Sequence, residues 1–259
     1  MEQQGVADAR KRVTVSVLIP ALNEEESLPF VLAAIPAWVD EVLVIDGHST
    51  DDTVGIAKRA GDRVRVITQE GKGKGGALRT GYWAATGDII VALDADGSID
   101  PAEIGSFVRA LRDGADYVKG SRFLQGADTV DMTRLRHVGN WGLVTLSNIL
   151  FGTRFTDITY GYNAVWRQHR DKLALEIDDW SQETMSNIRA ARAGLNVVEV
   201  VCFEHERIAG TAKLETFSAG WQILKAMLRE RMVPRERKVT TSKRQPLTVR
   251  SGATNARSI

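Results

Sequence analysis

Along the first half of the chain, short apolar runs alternate with longer stretches whose apolar residues recur at helical spacing. Residues 13–19, 41–45, 64–68 and 89–93 are such runs, and their β-branched content predicts four strands. The segments between them predict helices. Asn23 with Glu26 has capping-box spacing ahead of one helix, and Ser49 or Thr50 is placed to cap the next. Residues 77–85 form a third, entered from a basic glycine loop over 71–76. Asp100, Pro101 and Glu103 open another with a cap, a first-turn proline and an acid in the right order. Strand alternating with helix predicts an α/β fold, a mostly parallel sheet with crossover helices on its faces.

Beyond residue 120 the pattern loosens. A polar loop over 122–133 leads into a long helical pattern at 135–151, followed by a strand at 160–166, a helix at 182–193 and a strand at 196–203. Phe217, Trp221, Leu224, Met227, Leu228 and Met232 then form one stripe at helical spacing, a C-terminal amphipathic helix. The stretches 1–12 and 234–259 have little to bury and read as a flexible N-terminus and a flexible basic tail. One domain over 13–233 is the expectation.

Composition narrows this picture by exclusion. With 43% hydrophobic and 26% charged residues in 259, the chain is of ordinary soluble, core-forming type. A net charge of +1 gives no whole-molecule attraction to nucleic acid, so none is expected as a partner. The single cysteine, Cys202, excludes disulfides within one chain and fits a reducing cytoplasm. Residues 1–12 lack a signal-peptide core, and no apolar run is long enough to span a bilayer. Membrane contact would therefore be peripheral. Lys225, Arg229 and Arg231 around the final stripe suit anionic lipid at the inner face of a membrane, although a helix packed on the domain is the plainer reading.

The chemistry concentrates where the fourth strand ends. Parallel sheets bind ligands beyond the carboxyl ends of their strands, and there Asp94 and Asp96, one residue apart, can project to one side. Two hard oxygen donors so placed suit Mg²⁺ or Mn²⁺ carrying a diphosphate. Asp-Ala-Asp alone is a weak signal, since acids often end strands as caps. Gly71, Gly73 and Gly76 match the dinucleotide fingerprint G-x-G-x-x-G, with Asp94 at about the right distance downstream. That match is a decoy: the preceding strand ends in polar Thr68-Gln69-Glu70, and the unit is third in the chain. Ala77 in place of lysine excludes a Walker A loop. His48, His137, His169 and His205 show no metal-ligand spacing.

Four motifs in order carry a resemblance. They are Val15-Ser16-Val17-Leu18-Ile19-Pro20-Ala21-Leu22-Asn23-Glu24, Val44-Ile45-Asp46-Gly47-His48-Ser49, Gly73-Lys74-Gly75-Gly76-Ala77-Leu78 and Leu93-Asp94-Ala95-Asp96-Gly97. Together they resemble glycosyltransferase family 2, whose GT-A fold is a Rossmann-like domain using a nucleotide sugar and a divalent metal. Gly120-Ser121-Arg122, residues 157–162 and residues 207–213 resemble the branch of polyprenyl-phosphate mannose and glucose synthases.

The resemblance implies a nucleotide-binding half over 13–120 and an acceptor half over 121–233. It places Pro20, Ala21, Asn23, Glu24, Asp46, Lys74, Gly75 and Ala95 at the donor, and Asp94 and Asp96 at the metal and donor diphosphate. Arg122, Arg136, Asn140 and Asp157 would meet an acceptor phosphate, and Arg207 and Lys213 would close over the diphosphate. Three positions depart from the pattern: Gly47 replaces a second acid that contacts the base, Ser98 stands two past Asp96, and Ala212 replaces a serine.

An ionised phosphate acceptor needs positioning more than a base, whereas a sugar hydroxyl needs a general base, for which Glu183 is the best candidate. The expected activity is inverting, metal-dependent transfer of a hexose from a UDP- or GDP-sugar to a polyprenyl phosphate. The rivals are a small soluble acceptor with the same donor, and a non-catalytic sugar-nucleotide sensor.

Overall fold

A seven-stranded sheet carries the chain, and its centre is the strand that ends at the two aspartates. In the computed structural model, which describes residues 12–130, 132–209 and 216–234, the strands are β1 (Val15–Ala21), β2 (Glu41–Asp46), β3 (Val64–Thr68), β4 (Ile89–Ala92), β5 (Tyr117–Ser121), β6 (Asp128–Thr129), β7 (Asn163–Trp166), β8 (Val197–Val201) and β9 (Phe203–Glu204). The helices are α1 (Leu28–Ala34), α2 (Thr53–Arg59), α3 (Gly73–Ala84), α4 (Ile104–Arg112), α5 (Arg134–Phe151), α6 (Ser181–Arg192) and α7 (Thr216–Met232). The large sheet runs β3-β2-β1-β4-β7-β5-β8, and β6 pairs with β9 beside it. All its pairings are parallel except those of β7, which lies antiparallel between β4 and β5.

Both faces are covered, which is why the central strands read as continuous apolar runs. Alternate residues feed two cores. Val17, Ile19, Val42, Val44, Ile89 and Val91 pack with Leu28, Val31, Ile104 and Phe107 on one face. Leu18, Leu43, Ile45 and Ile90 pack with Ala77, Leu78 and Tyr82 on the other. A third cluster, built from Val144, Met185, Ile188, Ile223 and Met227, joins α5, α6 and α7. At roughly 1.5–3 kcal/mol per fully buried large aliphatic side chain, these layers fix the sheet firmly enough to aim its loops.

Several local expectations change. Asn23 does not cap a helix: it sits at φ 52°, its amide oxygen accepts the Thr50 N–H at 2.8 Å, and α1 starts only at Leu28. Ser49 likewise accepts the Asn23 N–H, so the residues expected as two caps instead tie the β1 loop to the β2 loop. The glycine loop is partly helix, since α3 begins at Gly73. The strand expected from residue 160 begins at Asn163, and that over 196–203 divides into β8 and β9. Asp100 caps as expected, accepting the Ala102 N–H at 2.8 Å. Residues 1–11, 235–259 and Lys213 lie outside the described residues.

Candidate active site

Buried Leu93 follows directly on β4, and beyond it the chain turns out of the sheet into a cleft of about 480 Å³. Asp94 and Asp96 stand on the floor of that cleft. Each carboxylate holds a cationic side chain. Asp94 Oδ1 meets Lys74 Nζ at 2.5 Å, and Asp96 Oδ2 meets Arg207 Nη1 at 2.5 Å. The other Asp96 oxygen accepts the Ser98 N–H at 3.0 Å and the Ser98 hydroxyl at 2.7 Å. Ser98 thus orients Asp96.

Lys74 comes from the first turn of α3 and also pairs with Glu183 Oε2, from the first turn of α6, at 3.0 Å. Burial works against its charge, but Asp94 and Glu183 outweigh burial and hold the ammonium above its ordinary value. Burial pushes the Glu183 carboxyl up; Lys74 opposes this and Asp94 adds to it, and the net direction is upward. Glycine beside this triad leaves room for its three charged ends. A Cβ on Gly161 would lie 2.8 Å from Glu183 Oε1, 3.1 Å from Lys74 Nζ and 3.3 Å from Asp94 Oδ2. The Trp180 ring lies 5.4 Å from the Lys74 ammonium.

Glycines of the 71–76 loop serve packing. The Gly75 N–H is taken by Asp178 O at 3.0 Å, and a side chain there would strike Ile177 O. Gly75 therefore lies outside the cleft lining, with its amide already bonded to the chain. Asp46 is also buried, and its carboxylate accepts the His48 and Ser49 N–H groups at 3.1 Å each, shaping the turn behind the pocket. Asn23 and Asp157 do not line the cleft either, while Pro20, Ala21, Glu24 and Ala95 do. Gln69, which the sequence reading passed over, lines the same wall beside Gly47.

On the acceptor side Arg136 and Asn140 face the cleft from α5. The Asn140 amide oxygen accepts the Thr159 hydroxyl at 3.0 Å and the Ile158 N–H at 3.3 Å, pinning the 157–161 loop to the helix. Arg122 is a buried strut. Asp157 takes Nε at 2.7 Å and Nη2 at 3.0 Å, Glu204 takes Nη1 at 3.0 and 3.1 Å, and the Thr159 hydroxyl takes Nη2 at 3.0 Å. Its fork is thus already engaged. Burial raises the Asp157 carboxyl, yet Lys119 and Arg122 carry it below the ordinary range. Lys119 is fully buried and donates to Gly120 O at 3.0 Å and Tyr160 O at 3.2 Å. Its signal was in the sequence: a lone charge inside a strand otherwise fit to be covered on both faces.

A divalent ion fits this donor set in one manner. Among the described residues no three His, Cys, Asp or Glu side chains converge as a protein cage. Two carboxylates opening onto a cleft instead suit an ion that completes its shell with phosphate oxygens and water.

Residues 16–173 match the sequence model of the family described as Glycosyl transferase family 2. The chain is 34% identical over 222 residues to the dolichyl-phosphate hexose transferase of Haloferax volcanii, covering 83% of this chain and 92% of that protein. It is 35% identical over 212 residues to the undecaprenyl-phosphate mannosyltransferase of Micrococcus luteus, covering 77% and 87%. Uncharacterized glycosyltransferases of Mycobacterium bovis and Mycobacterium tuberculosis are 48% identical over 108 residues, 42% of this chain, and the match spans about half (48%) of their length. Among solved structures, glucosyl-3-phosphoglycerate synthase from Mycobacterium tuberculosis, in complex with Mn²⁺, UDP and glucosyl-3-phosphoglycerate, is similar at a TM-score of 0.69. That match has 26% identity and covers 85% of this chain and 80% of that one. A GT-A-like sheet with paired aspartates at its central strand end, joined to this span of sequence likeness, makes the chain a member of glycosyl transferase family 2.

Proposed function

We propose that this chain is an inverting hexosyltransferase that moves a sugar from a nucleotide diphosphate donor to a polyprenyl phosphate. One observation carries the acceptor assignment. The helices walling the acceptor side of the cleft, α5 and α7, also expose apolar side chains: Leu135, Val138, Trp141 and Ile149 on one, and Phe217, Trp221, Leu228 and Met232 on the other. A lipid-linked phosphate could enter between such helices while its chain remains in a membrane surface, with Arg134, Lys225 and Arg229 near lipid head groups. No helix among the described residues is long and apolar enough to cross a membrane, so the contact proposed is peripheral.

Asp94 and Asp96 would hold Mg²⁺ or Mn²⁺, which supplies charge stabilisation for the departing diphosphate. Arg207 and Lys74 flank that position and add positive charge beside it. Pro20, Ala21 and Gln69 would receive the nucleoside, since the cleft runs from β4 across the tips of β1, β2 and β3. Arg136 would orient the acceptor. A phosphate monoester, with a second pKa of about 6, is already largely ionised at neutral pH and attacks without a base. Glu183 then serves to hold Lys74 against Asp94.

The second reading, a soluble phosphorylated acceptor, is favoured by the similarity to glucosyl-3-phosphoglycerate synthase. Incubation with radiolabelled UDP- and GDP-hexoses separates the two. Label extracted into organic solvent with a polyprenyl phosphate supports the lipid acceptor, and label found only in water-soluble product overturns it.

A further inference from the structure

Both carboxylates that would grip the divalent ion already carry a cation, but the two cations are held very differently. Lys74 is anchored in a helix, its side chain is 9% exposed, and Glu183 grips it from the far side. The Arg207 side chain is 29% exposed and lies past β9, where the backbone is clipped to the aspartate loop. His205 N–H donates to Ser98 O at 2.9 Å, Ile208 N–H donates to Asp96 O at 3.0 Å, and the Ile208 side chain covers Gly97. The clip holds the Arg207 backbone against the aspartate loop, and its side chain is the more exposed of the two cations.

Both Asp96 oxygens are engaged: Ser98 makes two hydrogen bonds to Oδ1, and Arg207 pairs with Oδ2. An ion reaching this carboxylate competes with Arg207 for Oδ2. We infer that Arg207 is a displaceable place-holder: the ion evicts its guanidinium from Asp96, and the diphosphate arriving with the ion takes it up. This rests on the metal-dependent reading above and adds a thermodynamic consequence. A divalent ion alone meets carboxylates already balanced by Lys74 and Arg207 and binds weakly. An ion with a diphosphate gives the evicted arginine a new anion, so metal and nucleotide promote each other's binding by one common factor.

Titration calorimetry with Mn²⁺, UDP or GDP, and each nucleotide in the presence of the other ligand tests this on the full chain without any turnover. In Arg207→Gln, Mn²⁺ alone is expected to bind about three- to tenfold more tightly, since its competitor is gone. The factor by which the nucleotide improves Mn²⁺ binding is expected to shrink, and the reciprocal factor for the nucleotide to shrink equally. Arg207→Lys, which keeps the charge but not the fork, should lie between. Unchanged or weaker Mn²⁺ binding in Arg207→Gln, with Arg207→Lys agreeing, overturns the place-holder. Failure of wild-type protein to bind Mn²⁺ even with nucleotide overturns the metal-dependent reading itself.

Discussion

Asp157 and Glu183 are both buried acids beside cations, yet their surroundings drive them in opposite directions. Asp157 faces Lys119 and Arg122 and is carried below its ordinary range, whereas Glu183 shares one lysine with Asp94 and is raised. Arg122→Met would strand Asp157 and Glu204, and a buried ion left without its partner costs about 3–5 kcal/mol. Thermal melting should show that loss directly. Arg136→Ala, by contrast, should leave melting nearly unchanged and raise the acceptor KM about tenfold, as loss of one charged contact to a phosphate predicts. A second acid gives a pH prediction. Burial raises the Glu103 carboxyl to about 7 from 4.5, against hydrogen bonds from the Phe203 N–H and the Cys202 thiol. The fold thus retains a proton that the unfolded chain releases, so stability falls as pH rises from 4.5 to 7. Glu103→Gln should remove that slope and stabilise the protein by about 1–2 kcal/mol at pH 8 in denaturant melts at pH 5 and 8.

The helices differ in how much of their role the sequence disclosed. Asp100 and Pro101 marked a true helix start because capping is a local event, decided within one turn. Asn23, Ser49 and Thr50 misled because their polar atoms bond across two loops 26 or 27 residues apart, which no local rule registers. The glycine loop over 71–76 looked like a phosphate loop, but Gly73 and Gly75 allow α3 to approach the 177–178 backbone, a long-range requirement, and Gly76 lets it pack on Glu70 and Gly71. The C-terminal stripe was legible as amphipathic, though it divides between two uses. Ala219, Ile223 and Met227 are buried, while Phe217, Trp221 and Met232 are exposed. Met227→Ala should therefore cost about 2–4 kcal/mol by cavity formation. Phe217→Ser, at a side chain 78% exposed, should change stability by less than about 0.5 kcal/mol in the same melts.

Across the whole molecule, the parallel half of the sheet was plain from strand–helix alternation, and the two aspartates were plain from the end of its central strand. The antiparallel β7 was not. Its residues read as one more strand, and only the closed sheet shows that it slots between β4 and β5, bringing Gly161 and the 157–161 loop against Asp94. The exposed helix faces make a prediction at this scale. Trp141→Ser with Trp221→Ser should lower co-sedimentation with phosphatidylglycerol vesicles at least about fivefold, since two amphipathic anchors are lost, while melting stays unchanged. Equal sedimentation of the double variant and the wild type would place the lipid contact elsewhere. The central claim, that Asp94 and Asp96 hold a divalent ion against a nucleotide diphosphate, has its most direct test in melting with UDP and GDP, with and without Mn²⁺. The wild type should gain stability from one nucleotide only when Mn²⁺ is present, and Asp96→Asn should lose that gain while melting as a folded protein. Stabilisation independent of Mn²⁺, or retained in Asp96→Asn, would contradict the account.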